Sequence, residues 1–254
     1  MYTLKKSLGQ HFLRDEGVCR RILGELGRHD FARLLEVGPG GGALTRHLKD
    51  LPGVDFKAVE VDAEKVAYLL STWPDLHGRL IQSSVLEIGP PFEGGFAVIG
   101  NFPYNISSQI LFKVLDWRDR VDLVIGMFQK EVAVRIASGP GGKDYGILSV
   151  LLQAYYRVTY LFDVDPRCFT PPPKVMSGVL MFERIGNPYG IGDHDLFARL
   201  VKSAFGQRRK QLRNALKAHF TQEVLAMDVF TRRAEQLGVG EFAELVPLMA
   251  CNAK

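Results

Sequence analysis

Arg33-Leu34-Leu35-Glu36-Val37-Gly38-Pro39-Gly40-Gly41-Gly42 is the stretch that decides the fold. An apolar run stops in a glycine-rich turn, and residues 43–51 then show helical spacing, so a buried strand feeds a helix through a tight turn. The same rhythm repeats outward. Residues 56–61 read as a second strand, followed by a helix from 63 to about 71. Shorter strands fit 79–82 and 96–100, a helix fits 107–115, and 121–128 is a long apolar strand. Strands alternating with helices predict an α/β fold: a mostly parallel sheet with helices on both faces.

The rhythm changes after about residue 155. Two β-like stretches, 157–164 and 175–183, flank Thr170-Pro171-Pro172-Pro173 with no helical pattern between them, and predict an antiparallel pair at the sheet edge. Gly186-Asn187-Pro188-Tyr189-Gly190-Ile191-Gly192 reads as a linker, and 194–249 carries helical periodicity without a strand signal. The expected division is an α/β domain over 1–185 and a small all-helical domain over 186–254, with no internal repeat.

Composition limits the classes of function. The chain has 254 residues, 46% hydrophobic and 24% charged, which suffices for a sizeable core. Cys19, Cys168 and Cys251 fit no metal or disulfide spacing, which favours a reducing, cytoplasmic setting and no metal site. No apolar run reaches the length of a membrane span, and the N-terminus carries no signal-peptide or transit-peptide pattern, so no membrane partner is expected. The net charge of +4 decides little until its distribution is considered.

Glu36 and the alternating glycines Gly38, Gly40 and Gly42 close the first strand and open a helix, where backbone must turn sharply and approach a ligand. Such a turn suits NAD, FAD or S-adenosylmethionine; spacing alone does not exclude a dinucleotide. The leading acid and the alternation resemble the form that S-adenosylmethionine-binding folds of this kind tend to show. Glu60 ends the second strand, where a carboxylate can accept both hydroxyls of a ribose. A plain turn followed by a solvated acid is the bland alternative.

Asn101-Phe102-Pro103-Tyr104 follows the strand at 96–100 and so lies at the carboxyl end of the sheet, where open α/β folds bind ligands. An aromatic amine attacking a methyl sulfonium needs its lone pair freed from the ring and aimed at the methyl carbon. The Asn101 amide oxygen and a backbone carbonyl of the turn can accept the two N–H bonds of adenine N6. Pro103 fixes the turn and Tyr104 offers a stacking face. An Asx-turn beside a core tyrosine is the competing reading of the tetrapeptide in isolation.

With these residues in place, the chain closely resembles the ribosomal RNA adenine dimethyltransferases, and among them the bacterial small-subunit branch. The likeness runs through Lys6-Ser7-Leu8-Gly9-Gln10-His11-Phe12-Leu13, 36–45, Glu60, 101–106 and Gln129-Lys130-Glu131-Val132. It continues through Asp144-Tyr145-Gly146, Phe169-Thr170-Pro171-Pro172-Pro173-Lys174-Val175 and Phe205-Gly206-Gln207-Arg208-Arg209-Lys210. The resemblance implies a Rossmann-like class I methyltransferase sheet and S-adenosylmethionine as cofactor. It implies that His11, standing where the family often has asparagine, and Leu13 contact the cofactor. Gly38 and Gly40 would approach it, and Glu60 would hold its ribose. Asn101 would sit between sulfonium and amine, and Tyr104 and Phe169 would sandwich a flipped adenine. Where the family usually places an aspartate that accepts from the cofactor's adenine amine, this chain has Ser84, a shorter and uncharged acceptor. The implied reaction is dimethylation of N6 on two adjacent adenines of small-subunit rRNA, within an assembling subunit, by a monomer.

Between Asp195 and Glu223 there is no acidic residue, while Arg208, Arg209, Lys210, Arg213 and Lys217 all fall there. Arg209, Arg213 and Lys217 are four apart, as are Leu212, Leu216 and Phe220, which predicts an amphipathic helix with one cationic face. Charge runs are usually solvated faces, but beside such a core this one is expected to bind RNA phosphates, with Lys5, Lys6 and Arg14 as weaker candidates. Two rivals stand against this expectation: a large-subunit adenine methyltransferase of the macrolide-resistance type, and a non-catalytic RNA-binding factor on the same fold. The 205–209 and 170–174 motifs disfavour the first rival, and an intact 101–104 turn disfavours the second.

Overall fold

The computed structural model describes residues 11–249; Lys5, Lys6, the start of the 6–13 motif and Cys251 lie outside the described residues. The strands are β1 (Phe12–Leu13), β2 (Arg33–Val37), β3 (Asp55–Glu60), β4 (Leu80–Gln82), β5 (Phe96–Asn101), β6 (Val121–Gln129), β7 (Tyr156–Val164), β8 (Phe169–Thr170) and β9 (Ser177–Arg184). Helices α1 (Glu16–Leu26), α2 (Thr45–Leu48), α3 (Ala63–Thr72), α4 (Ser107–Asp116), α5 (Lys130–Ala137) and α6 (Ile147–Gln153) intersperse them. Four more follow: α7 (His194–Gly206), α8 (Leu212–Ala215), α9 (Gln222–Leu225) and α10 (Val239–Leu245).

Seven strands form one sheet in the order β4-β3-β2-β5-β6-β9-β7. The pairs from β4 through β6 are parallel and β9 runs antiparallel to β6. The expected mostly parallel sheet is therefore present, with β7 and β9 adjacent at its edge. Strand order reverses between β2 and β5, so their carboxyl ends, at Val37 and Asn101, open the crevice where such sheets take ligands. Strands covered on both faces need apolar side chains throughout: Leu34, Leu35, Val98, Ile99, Val124 and Ile125 are all buried. Each contributes roughly 1.5–3 kcal/mol by leaving water, which makes any slip of strand register costly.

The chain divides into two compact units: one takes the chain up to Ala133 with Thr159–Arg184, the other Val134–Val158 with Ile185 onward. The first has its own core, in which α1, capped by Asp15 accepting from the Val18 N–H at 2.9 Å, buries Val18, Cys19, Ile22 and Leu26. The second centres on α7, whose Phe197, Leu200, Val201 and Ala204 are buried, with Phe205 flanked by Tyr145 and Phe242 at ring distances of 6.1 and 6.0 Å. Sequence reading placed 134–158 with the first domain; in the structure α6 buries Val150, Leu151 and Leu152 and the segment clusters with the C-terminal helices.

Two expected helices are cut short. The one expected over 43–51 is helical only at Thr45–Leu48, because 40–44 forms the turn that leaves β2. The amphipathic helix expected to carry Arg209, Arg213, Lys217 and Phe220 does not form. Helix α7 ends at Gln207 (φ −124°, ψ 51°), and Gln211 is extended and bridges to Arg233, so only Leu212–Ala215 is helical. Leu212, Leu216 and Phe220 are nevertheless buried, which shows that the four-residue spacing reported burial and not helix.

Candidate active site

The glycine turn leaves β2 with Gly38 and Gly40 at φ of 69° and 56°, in the left-handed region where a side chain is strained. Glu60, at the end of the neighbouring β3, pins this turn. One carboxylate oxygen accepts the Gly40 N–H at 3.1 Å, and the other accepts the N–H groups of Val61 and Asp62 at 2.9 and 3.0 Å. Burial raises the Glu60 pKa, and these three N–H donors oppose the rise. Glu36 lies deeper: its carboxyl accepts from Thr45 Oγ1 at 2.7 Å, and burial, reinforced by the Glu60 charge, pushes its pKa up to about 8.

The second wall is the 101–104 turn. Gly100 and Gly126 face each other across β5 and β6. A Cβ on either would lie within 3 Å of the Phe102 ring, so the two glycines leave the slot in which Phe102 anchors the turn. The ring is buried and packs edge-on against Phe128 at 5.3 Å. Asn101 is thereby held at the carboxyl end of β5, and its Nδ2 donates to the His11 carbonyl at 2.8 Å. That bond fixes which way the amide faces and leaves Oδ1 as the acceptor on the other side.

The roof is β1, which pairs antiparallel with β8, matching Phe12 with Thr170 and Leu13 with Phe169. His11 Nδ1 lies 2.9 Å from the Pro171 carbonyl, and its ring sits 5.7 Å from that of Tyr104 at 33°. Phe12 packs against Gly40 on one side and under the Lys65 ammonium, 4.7 Å away, on the other. The Tyr104 hydroxyl hydrogen-bonds Ser177 Oγ, a fully buried group at the first residue of β9.

One cavity is lined by His11, Leu13, Gly38, Gly40, Glu60, Ser84, Asn101, Pro103 and Tyr104, so the structure brings these expected site residues together. Phe169 is not among its lining residues; its ring is 1% exposed and belongs to the core beneath Leu13. Ser84 lines the cavity with its neighbour Ser83, and its Oγ accepts the Leu86 N–H at 3.3 Å. Phe12 and Ser177 are contributors to which the sequence assigns no role, and Glu36, the leading acid of the turn, proves to be buried against Thr45. Phe12 stood inside the N-terminal motif, whereas nothing near Ser177 in sequence pointed to Tyr104. Arg209, Lys210, Arg213 and Lys217 are exposed in the second unit, and Arg208 is half-buried there.

The donor set fits a nucleoside-bearing sulfonium cofactor: a buried carboxylate for a ribose diol, serine hydroxyls and apolar Val59, Val61 and Val85 for a purine, and an acceptor amide at the mouth. Such a sheet, with this pocket and turn, defines a methyltransferase acting on an amine. The chain belongs to the ribosomal RNA adenine dimethylase family, whose sequence model matches residues 1–246. It is 49% identical over 245 residues to ribosomal RNA small subunit methyltransferase A of Parabacteroides distasonis, covering 95% of this chain and 92% of that one. With the protein of the same name from Flavobacterium johnsoniae it shares 47% identity over 95% of this chain and 94% of that one. The fold is similar to a dimethyladenosine transferase from Plasmodium falciparum (TM-score 0.79, 22% identity, 94% and 99% covered). It is also similar to the 23S rRNA methyltransferase ErmE (TM-score 0.68, 24% identity, 92% and 99% covered).

Proposed function

We propose that this enzyme transfers methyl groups from S-adenosylmethionine to N6 of two adjacent adenines in small-subunit rRNA, as a monomer acting on an assembling subunit in the cytoplasm. The observation that carries the proposal is the Asn101 amide, which lines the cavity and whose Nδ2 is committed to the His11 carbonyl, so that Oδ1 is its remaining acceptor. The relatives at 47–49% identity, named for the small subunit, favour that substrate over large-subunit RNA.

S-adenosylmethionine, when bound, supplies an electrophilic methyl group. Gly38, Gly40, Leu13, His11 and Ser84 would hold it, with Glu60 toward its ribose. Asn101 Oδ1 and a backbone carbonyl of the turn accept the two N6 protons of the target adenine. Pulling on both N–H bonds withdraws the nitrogen lone pair from the purine ring and aims it at the methyl carbon. N6 would give up one proton to water for each methyl it takes from the sulfonium, the monomethyl product keeping one N–H to be held in the second round. Tyr104 presents the stacking face. A matching role for Phe169 requires β8 to release its ring from the core, so in the state described the base rests on Tyr104. The unit from 186 onward, with Val134–Val158, is the RNA-binding part, and Arg209, Lys210, Arg213 and Lys217 are its phosphate contacts.

The test is incubation of the purified protein and Asn101→Ala with labelled S-adenosylmethionine and unmethylated small subunits, followed by mapping of the label. The expected result is dimethyladenine at two adjacent positions in small-subunit rRNA, with the rate in the variant down about 10²–10³-fold. Label on large-subunit RNA would overturn the substrate, and RNA binding without transfer would overturn the catalytic assignment.

A further inference from the structure

The second unit carries a loop that the reading above leaves unused, Gly139-Pro140-Gly141-Gly142-Lys143, exposed throughout. It is nonetheless pinned from two sides. Arg208 Nη2 donates to the Gly142 carbonyl at 3.1 Å, and the Gly141 N–H donates to the Glu235 carbonyl at 2.6 Å. The Arg208 guanidinium also stands 3.9 Å from the Glu235 carboxylate, whose Oε2 is buried. Arg208 is therefore committed to the protein's own backbone and to a carboxylate that offsets its charge. Lys143, Arg209, Lys210 and Arg213 differ: all are exposed, and none takes part in an ion pair among the described residues.

The glycines add a second observation. Gly141 needs its lack of a side chain for its φ of 94°, but Gly139 and Gly142 do not need theirs for conformation or room. A Cβ on either would meet nothing within 4 Å. Bare backbone that the chain's own packing does not require is backbone that an outside group can approach closely.

We propose that the 139–143 loop is part of the RNA-binding face, with Lys143 as a phosphate contact and Arg208 as the clamp that holds the loop there. Lys143 directly follows the carbonyl that Arg208 grips, and Arg209 directly follows Arg208, so the clamp places both cations at one locus. Arg208 thereby changes role, from phosphate contact to positioning residue. This inference rests on the reading of the second unit as RNA-binding.

The experiment measures affinity for unmethylated small subunits over a range of salt, with melting temperature and cofactor affinity as controls. Arg209→Ala/Lys210→Ala tests the underlying reading, and wild-type affinity in that variant would overturn it. Lys143→Ala is expected to weaken binding several-fold and to reduce the salt slope by about one. Gly139→Ala/Gly142→Ala is expected to weaken binding with the melting temperature unchanged. The losses in Arg208→Ala and Lys143→Ala are expected to overlap in the double variant, because one acts through the other. Wild-type affinity in Lys143→Ala and in the glycine pair, alongside a weakened Arg209→Ala/Lys210→Ala, would overturn the loop's role and leave the rest of the face standing. Additive losses for Arg208 and Lys143 would return Arg208 to direct phosphate contact.

Discussion

Glu60 spends its two carboxylate oxygens on three backbone N–H groups of its own chain, whereas Lys210 stands exposed at a turn with no ion pair among the described residues. The same contrast separates the two regions they belong to. In the pocket, each polar group is held by strand register or by a buried partner: Asn101 by the end of β5 and the His11 carbonyl, Tyr104 by Ser177, Glu36 by Thr45. In the second unit the proposed RNA face consists of exposed cations, Arg209, Lys210, Arg213 and Lys217, and solvated charges are felt only at close range. A pocket group should therefore respond to the loss of a single atom, while the face should respond to the number of its charges.

The sharpest probe of that contrast inside the pocket is Ser84→Asp. A charged acceptor makes a hydrogen bond about 1 kcal/mol stronger than a neutral one, so the dissociation constant for S-adenosylmethionine should tighten about five- to tenfold. Titration calorimetry reads it directly, and an unchanged or weaker value would mean that Ser84 does not meet the cofactor's purine.

A smaller effect is expected from Ser177→Ala, which removes one hydroxyl and leaves Tyr104 without its partner. One buried hydrogen bond is worth about 1 kcal/mol, so kcat/KM on RNA should fall about fivefold while cofactor affinity holds. Tyr104→Phe should fall by a similar factor, and the double variant no further. Fully additive losses would break the pairing and make Ser177 a matter of general packing.

The mildest probe is pH. In the folded protein without cofactor, burial raises the Glu36 pKa to about 8 from an ordinary value of 4.5. Between those two values the folded state holds a proton that the unfolded chain has released, so stability falls as pH rises through the window and levels off above it. Glu36→Gln should flatten the decline in melting temperature with pH, leaving the smaller slope due to Glu60, whose pKa burial also raises. An undiminished slope would place the titrating group elsewhere.

How far each region could be read from sequence follows the same division. The strands were legible because a sheet covered on both faces demands largely apolar runs, and 33–37, 96–101 and 121–129 supply them apart from the buried Glu36 and residues at the strand ends. The pocket was legible because its glycines and the 101–104 turn are bound to strand ends, where position in the chain fixes position in space. The Tyr104–Ser177 bond was not, since its partners lie 73 residues apart and meet only through the antiparallel return of β9. The burial of Phe169 was not legible for a related reason: its ring joins the core where β8 pairs with β1, opposite Leu13. In the second unit the spacing of Leu212, Leu216 and Phe220 correctly marked buried positions, but an extended Gln211 bridging to Arg233 gave them a broken path instead of a helix.

The sheet of the first unit is interrupted in sequence: β8 and β9 are reached only after Val134–Val158, which clusters with the C-terminal helices. On a ribosome, β6 must therefore wait for its antiparallel neighbour until that segment has emerged, and the pair that roofs the pocket closes later than the parallel strands beneath it. A fragment ending near residue 185 would carry the whole sheet but strand the apolar side of α6 without α7 to cover it. The two units are thus interlaced in order of synthesis, and a fragment limited to the first should be sought by replacing 138–155, between α5 and β7, with a short turn.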